Sequence, residues 1–380
     1  MIQINLEPLD TLFFRDSHAF TAGEETTADF NFPPPLTFFG AIGSAVIENM
    51  SVANRIKFMK GEYEHPKLGK YEDELSNTPM KIKGPFLHKE DEVYFPPPAN
   101  LWVGGTGNYH VAQTLIPYEK NKWVWDINNE TLRPLKIPEI EGLEIEPLNE
   151  YISIKDLTKY LSGKLKLLAS KSEDKFFLKE IRYGNAISKS SKTPEDHYLY
   201  ASTHLRFKDQ LEGSNYGRTG FTVIVEGIEE SDLPNKIISL GGERRKVTIK
   251  CKTSRLILEQ LDVLSEIQST KRFFIYFATP AIFKKGWLIE LPTEFHDAVL
   301  VGAAVNKPQY ISGWKNNKDD FGGKPRPVKK AVPSGSVYFF EANSWKNEKF
   351  KKFYDKYNFG ASLSDEYQAA GFGIGLIGCW

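Results

Sequence analysis

Within its first 95 residues the chain sets a strand, a helix and a hairpin in that order, and this constrains the fold most. Ile2, Ile4 and Leu6 alternate along a half-buried strand. After Pro33-Pro34-Pro35, residues Phe38, Phe39, Ile42, Ala45, Val46 and Met50 recur at helical spacing. Gly40, Gly43 and Ser44 leave that helix free to lie close against a sheet. Lys81–Leu87 and Glu92–Phe95 read as two strands around a polar turn, closed by Pro96-Pro97-Pro98. These are the first three elements of a ferredoxin-like βαββαβ unit.

The rest of the chain repeats the theme with more strands. Helices are expected over Lys155–Ala169, Arg255–Ile267 and Trp345–Tyr357. Strands are expected over Tyr198–Phe207, Phe221–Gly227, Lys246–Lys250, Arg272–Phe277, Leu300–Val305 and Val337–Glu341. Two such blocks imply an α+β chain with a tandem of related sheets. The expected division is an N-terminal domain, 1–183, with insertions, and a C-terminal domain, 184–380.

Composition removes several function classes. The longest apolar-rich runs, Leu36–Ile47 and Phe273–Phe283, fall short of the ~18 residues a spanning helix needs. No basic, apolar leader opens the sequence, and only Cys251 and Cys379 occur, so a reduced, cytoplasmic protein without a disulfide framework is expected. The histidines show no HxH or HxxxH spacing, so neither a metal site nor a cofactor is expected. Gly373-x-Gly375-x-x-Gly378 matches GxGxxG, yet only Cys379 and Trp380 follow, where a dinucleotide site needs a helix and a later acidic residue. Two readings stay open there: a loop whose bare backbone RNA can approach, or a terminal strand packed under a helix.

Charge is uneven. Residues 1–150 hold 13 Lys+Arg against 23 Asp+Glu, a balance of −10, and residues 151–380 hold 36 against 26, a balance of +10. Glu139–Glu150 reads as an acidic surface loop. Cations concentrate in two places. Gly241-Gly242-Glu243-Arg244-Arg245-Lys246 joins a tight turn to guanidinium forks suited to phosphate, or is a solvated turn with Glu243 pairing one arginine. Between Gly313 and Lys330, Lys315, Lys318, Lys324, Arg326, Lys329 and Lys330 interleave with Trp314 and Phe321, a composition that suits single-stranded nucleic acid or else a solvated loop. Ser188–Thr193 is a smaller basic loop. Arg272–Phe277 has loosely the aromatic alternation of an RNA-stacking strand, a pattern that more often marks a core strand. Arg15 beside Asp16 is a turn-holding pair or, with His18, a phosphate contact.

Several blocks taken together resemble one family. They are Pro8–Asp16, Phe32–Pro35 leading to Gly40-Ala41, Leu240–Arg245, Ile311–Trp314, Ala331–Phe340 and the terminal Gly371–Gly378. In order and combination they are similar to the third subunit of the Cmr complex, the type III-B CRISPR effector, in the RAMP superfamily. The resemblance implies tandem ferredoxin-like, RRM-related folds with a glycine-rich loop near the C-terminus and no catalysis by this chain. It implies a scaffold that grips the 5′ repeat-derived tag of crRNA, docks the large polymerase-like subunit and contacts the first backbone RAMP subunit. Arg15, His18, Gly242, Arg244, Arg245, Lys324, Arg326, Lys329, Gly371, Gly373 and Gly375 are then the candidate RNA contacts. The rival is a RAMP-type endoribonuclease that processes CRISPR precursor RNA with His18 as base; a third reading is a protein adaptor.

Overall fold

The computed structural model describes residues 1–14, 27–28, 32–71, 78–105, 110–119, 131–137, 144–188, 190–208, 218–253, 263–315 and 324–380. The chain begins with β1 (Ile2–Pro8), β2 (Leu12–Phe13), β3 (Thr27–Ala28), α1 (Pro35–Glu48), α2 (Val52–Met59), β4 (Lys81–Lys89) and β5 (Glu92–Phe95). Short strands follow: β6 (Leu101–Gly104), β7 (His110–Thr114), β8 (Ile116–Pro117), β9 (Leu135–Lys136), β10 (Ile145–Pro147) and β11 (Ile152–Ser153). Next come α3 (Ile154–Leu161), β12 (Leu167–Leu168) and a long hairpin of β13 (Phe177–Ile187) and β14 (Pro194–Phe207). Then β15 (Thr219–Glu226), β16 (Ile237–Ser239), β17 (Lys246–Thr253), α4 (Val263–Thr270), β18 (Arg272–Phe277) and β19 (Val299–Ala304) lead to a two-stranded ribbon. The ribbon runs out through β20 (Gln309–Ile311) and β21 (Trp314–Lys315) and back through β22 (Lys324–Pro325) and β23 (Lys329–Ala331). Finally β24 (Val337–Glu341), α5 (Asn347–Tyr357) and β25 (Gly375–Gly378) close the chain.

The largest sheet has the order β11-β5-β4-β15-β1-β17-β16, and a four-stranded sheet has the order β19-β24-β18-β25. Within the first, β1, β4, β15 and β17 are antiparallel neighbours arranged second-third-first-fourth along the chain. The four strands of the other sheet have the same arrangement. Position 183/184 falls inside β13, and the seven-stranded sheet takes strands from both sides of it.

Local chemistry explains the elements. Pro35 occupies the first turn of α1, where a missing N–H costs nothing, and Phe38, Phe39, Ile42, Ala45 and Val46 face the core. β1 is flanked by β15 and β17, and its polar face is buried as well as its apolar one. Asn5 there accepts from Gln3 at 3.1 Å and from Thr222 at 2.9 Å, while Glu7 meets Arg218 and Lys250, each at 2.9 Å. The helix expected over Lys155–Ala169 stops at Leu161, because Gly163 adopts φ +65° and Leu167–Leu168 pairs with β7. Of the expected Arg255–Ile267 helix, 255–262 lie outside the described residues, and the helix described there is α4.

Three apolar clusters hold the sheets. The first joins Ile4, Leu6, Phe221, Val223 and Val225 to α1. The second seats Phe86, Phe95, Leu101 and Tyr160 on Phe274, Tyr276 and Phe339 of the four-stranded sheet. There the Tyr276 hydroxyl donates to the Pro96 carbonyl at 2.6 Å, so the second proline triplet ties the two sheets together. The third packs α4 and α5 on the other face through Ile267, Phe273, Phe340, Phe350 and Phe353. All of Phe273–Phe277 is buried, so this aromatic strand is core.

Candidate nucleic-acid interface

The described residues on either side of 15–26 and 29–31 meet two antiparallel ribbons. Before α1, β2 pairs with β14 (Phe13 opposite His204), and β3 runs parallel to the same strand. At the start of α1, Gln309 Nε2 donates to the Phe32 carbonyl at 3.0 Å, and Leu36 meets the second ribbon. A methyl group at Gly313 would come within 3.1 Å of Leu36 Cδ2 and 3.5 Å of Arg326 Cδ. Arg15 and His18 fall within 15–26, outside the described residues.

The Gly-Gly turn packs onto Phe13. A side chain at Gly241, whose φ is +80°, would strike the Phe13 carbonyl at 2.5 Å, and one at Gly242 would strike the Phe13 ring at 2.7 Å. The glycines therefore serve close protein packing on this side. Arg245 donates to Asp10 at 2.9 Å and to Glu243 at 2.8 Å, the pairing that the sequence left open. Arg244 is exposed and makes no ion pair among the described residues. Behind them, the Arg206 and Arg182 guanidiniums hold the Glu180 carboxyl down at about 2. Sequence reasoning missed Arg182 and Arg206, since only the pairing of β13 with β14 brings them together.

At the other ribbon, the Arg326 guanidinium lies 5.9 Å from the Tyr367 ring centroid, and Lys329 pairs with Glu366 at 3.0 Å. Lys330 is exposed. Lys324 opposes Lys315 in the ribbon's outer rung. Beside the Gly-Gly turn, a groove of about 330 Å³ runs from Pro34 and Thr37 of the helix start to Gly241 and Gly242. The structure thus brings Gly242, Arg244, Arg245, Arg326 and Lys329 around the entry to α1.

Gly371, Gly373 and Gly375 are not among them. All three are buried, and Gly371 and Gly373 adopt φ +89° and +68°. Ile82 and Gly84 carbonyls crowd Gly371, the Ser364 amide crowds Gly373, and Ile275 crowds Gly375. In place of an RNA-facing loop, the glycines admit neighbouring protein backbone and let β25 pair with β18.

Four of the described histidines are engaged in local structure. His65 Nδ1 accepts from the Lys67 and Leu68 amides, His296 Nδ1 donates to the Thr293 carbonyl, and His204 stacks on Phe13 at 5.0 Å. His88, 1% exposed, donates from Nδ1 to the Glu90 carbonyl, and burial pushes its pKa down to about 4. Below pH 6.5 the unfolded chain binds a proton that folded His88 refuses. Stability is therefore expected to fall towards pH 4 by up to ~1.4 kcal/mol per unit from this group. Urea midpoints between pH 7 and pH 4.5 should lose that part of the slope in His88→Gln; an unaltered slope would place the acid sensitivity elsewhere.

Among the described residues, no group of three His, Cys, Asp or Glu side chains is placed to hold a metal, and no helix is long and apolar enough to cross a membrane. No curated protein matches the chain. The fold is similar to a chain in the cryo-EM structure of type III-B Cmr-beta bound to cognate target RNA and AMPPnP. The TM-score is 0.50 and the identity 18%, over 95% of this chain and 96% of that one. A second Cmr-beta structure with cognate target RNA gives a TM-score of 0.49 and 17% identity over 92% of each chain. A chain of the Csm3–Csm4 subcomplex of the type III-A interference complex gives 0.37 and 9%, over 89% of this chain and 92% of that one. The sequence itself is more decisive: residues 4–380 match the family described as CRISPR-associated protein (Cas_Cmr3), and the chain belongs to that family.

Proposed function

We propose that this chain is a non-catalytic crRNA-binding scaffold of a type III-B CRISPR antiviral effector. It holds the 5′ repeat-derived tag, docks the large polymerase-like subunit and contacts the first backbone RAMP subunit. One observation carries the RNA part: two cationic elements far apart in sequence, the turn that carries Arg244 and the ribbon that carries Arg326, both meet the start of α1. Family membership supports the assembly. The same strand arrangement in both sheets supports tandem ferredoxin-like units, which we place at 1–253 and 263–380, with 90–218 inserted in the first.

Affinity comes from phosphate neutralisation, so it is salt-dependent and nearly indifferent to sequence. In the assembled effector, Arg244→Ala and Arg326→Ala are each expected to flatten the log–log salt dependence of guide binding by ~0.7. Arg245→Ala and Lys329→Ala test positions already engaged with carboxylates and should shift it less than Arg244→Ala does. Unchanged slopes for all four would assign these loops to a protein neighbour. Guide cleavage by the purified chain, lost in His18→Ala, would replace the scaffold with the endonuclease.

A further inference from the structure

We propose that the outward face of the β10-β6-β7-β12 sheet docks a protein subunit, with Trp102 and Leu167 at the centre of the contact. The occupant presents an apolar surface with a cation towards β10 and a carboxylate towards β12. This rests on the assembly reading above and adds which face a protein neighbour covers. Leu101, Val103, Ala112 and Leu168 point inward and are buried in the second apolar cluster. On the opposite face Trp102 stands between Gln113 and Pro147, Gly104 between Val111 and Ile145, and Leu167 opposite Val111. Trp102, Val111 and Ile145 are partly exposed, Pro147 is exposed, and Leu167 is 56% exposed. None of these five joins any of the three apolar clusters. An antiparallel sheet with one face on the core normally turns polar side chains outward. Among the described residues, Gln113 is the only polar side chain these strands turn that way. Tryptophan is enriched where proteins meet and often anchors the contact.

The edges of the sheet select the occupant. Glu144 and Glu146 are exposed along β10, and Lys164 and Lys166 along β12; none of the four forms an ion pair among the described residues. Carboxylates along one edge repel a polyanion, and no candidate RNA contact lies on this sheet, so the fit is to protein. A second copy turned about a two-fold axis would also set β10 against β12. Strands ~4.8 Å apart and five residues or fewer in length, however, offer roughly 300 Å² of face. Each partner in a standard interface buries ~800 Å². So small a centre suits a neighbour that other contacts hold as well, as in a multi-subunit assembly.

The test uses the full chain, immobilised without guide and titrated with the large polymerase-like subunit and, separately, with the first backbone RAMP subunit. Trp102→Ala and Leu167→Asp should each weaken binding of one of the two by about 30-fold or more. Leu167 is exposed, so Leu167→Asp should keep the wild-type urea midpoint, which separates lost docking from lost folding. Glu146→Lys should mainly slow association. Both centre variants should bind a labelled single-stranded oligoribonucleotide as the wild type does. Variants that bind both subunits normally, or that lose the oligoribonucleotide instead, overturn the proposal and leave the assembly reading standing. Wild-type dimers that Leu167→Asp dissociates, seen by light scattering, would give the face to a second copy and overturn it too. A wild-type chain that binds neither subunit fails the assembly reading, and the proposal with it.

Discussion

Phe221→Ala is expected to cost about 3–5 kcal/mol of stability, the range for emptying a buried aromatic site. The ring is fully buried on β15 and has Phe38, Phe207, Phe32 and Phe14 at centroid distances of 5.0, 5.3, 5.7 and 6.0 Å. Phe14 and Phe32 flank the stretch that carries Arg15 and His18. The cavity therefore loosens both ends of the proposed RNA-facing segment, and guide affinity should fall with stability. Urea denaturation at unchanged m measures the first effect, and Phe221→Leu should recover more than half of the loss. A loss below ~1 kcal/mol would show that α1 and β14 collapse into the space and that this ring does not position the segment.

Gly373→Ala should destabilise by about 2–5 kcal/mol. A left-handed backbone costs a residue with a Cβ ~1–2 kcal/mol, and forced overpacking typically adds ~1–3 kcal/mol. Here the new methyl would stand 2.3 Å from the Ser364 amide nitrogen, a backbone atom that cannot turn aside. Leu363 N–H also donates to the Gly373 carbonyl and Gly373 N–H to Pro280, so the segment is held on both sides. Guide affinity, measured on the folded fraction, should be unchanged. Intact stability with lost guide binding would return the glycine-rich terminus to the RNA surface.

Periodicity made much of the secondary structure legible. Arg272–Phe277 and Val337–Glu341 have the bounds that hydrophobic patterning gives them, and α1 buries the face its spacing selects. The two cationic stretches were equally visible, because charge clustered in sequence stays clustered on a ribbon or turn. The glycine-rich terminus was ambiguous for a local reason: absent side chains admit RNA and protein backbone equally well, and only Ser364, Ile82 and Ile275 decide which arrives.

The sequence by itself determined which residues seek burial, where the backbone must turn, and where positive charge gathers. Tertiary structure decided which strands are neighbours. Nothing local marks β4 as the partner of β15, because the chain between them is long and closing a long loop costs little more than closing a short one. That pairing is the basis for the insertion proposed at 90–218, and the 183/184 position falls inside β13. It also decided the character of the cations. Arg244 and Arg245 are adjacent and chemically alike, yet Asp10, far off in sequence, engages Arg245 and leaves Arg244 exposed. An ion pair depends on distance in space, and only the packed sheets set that distance.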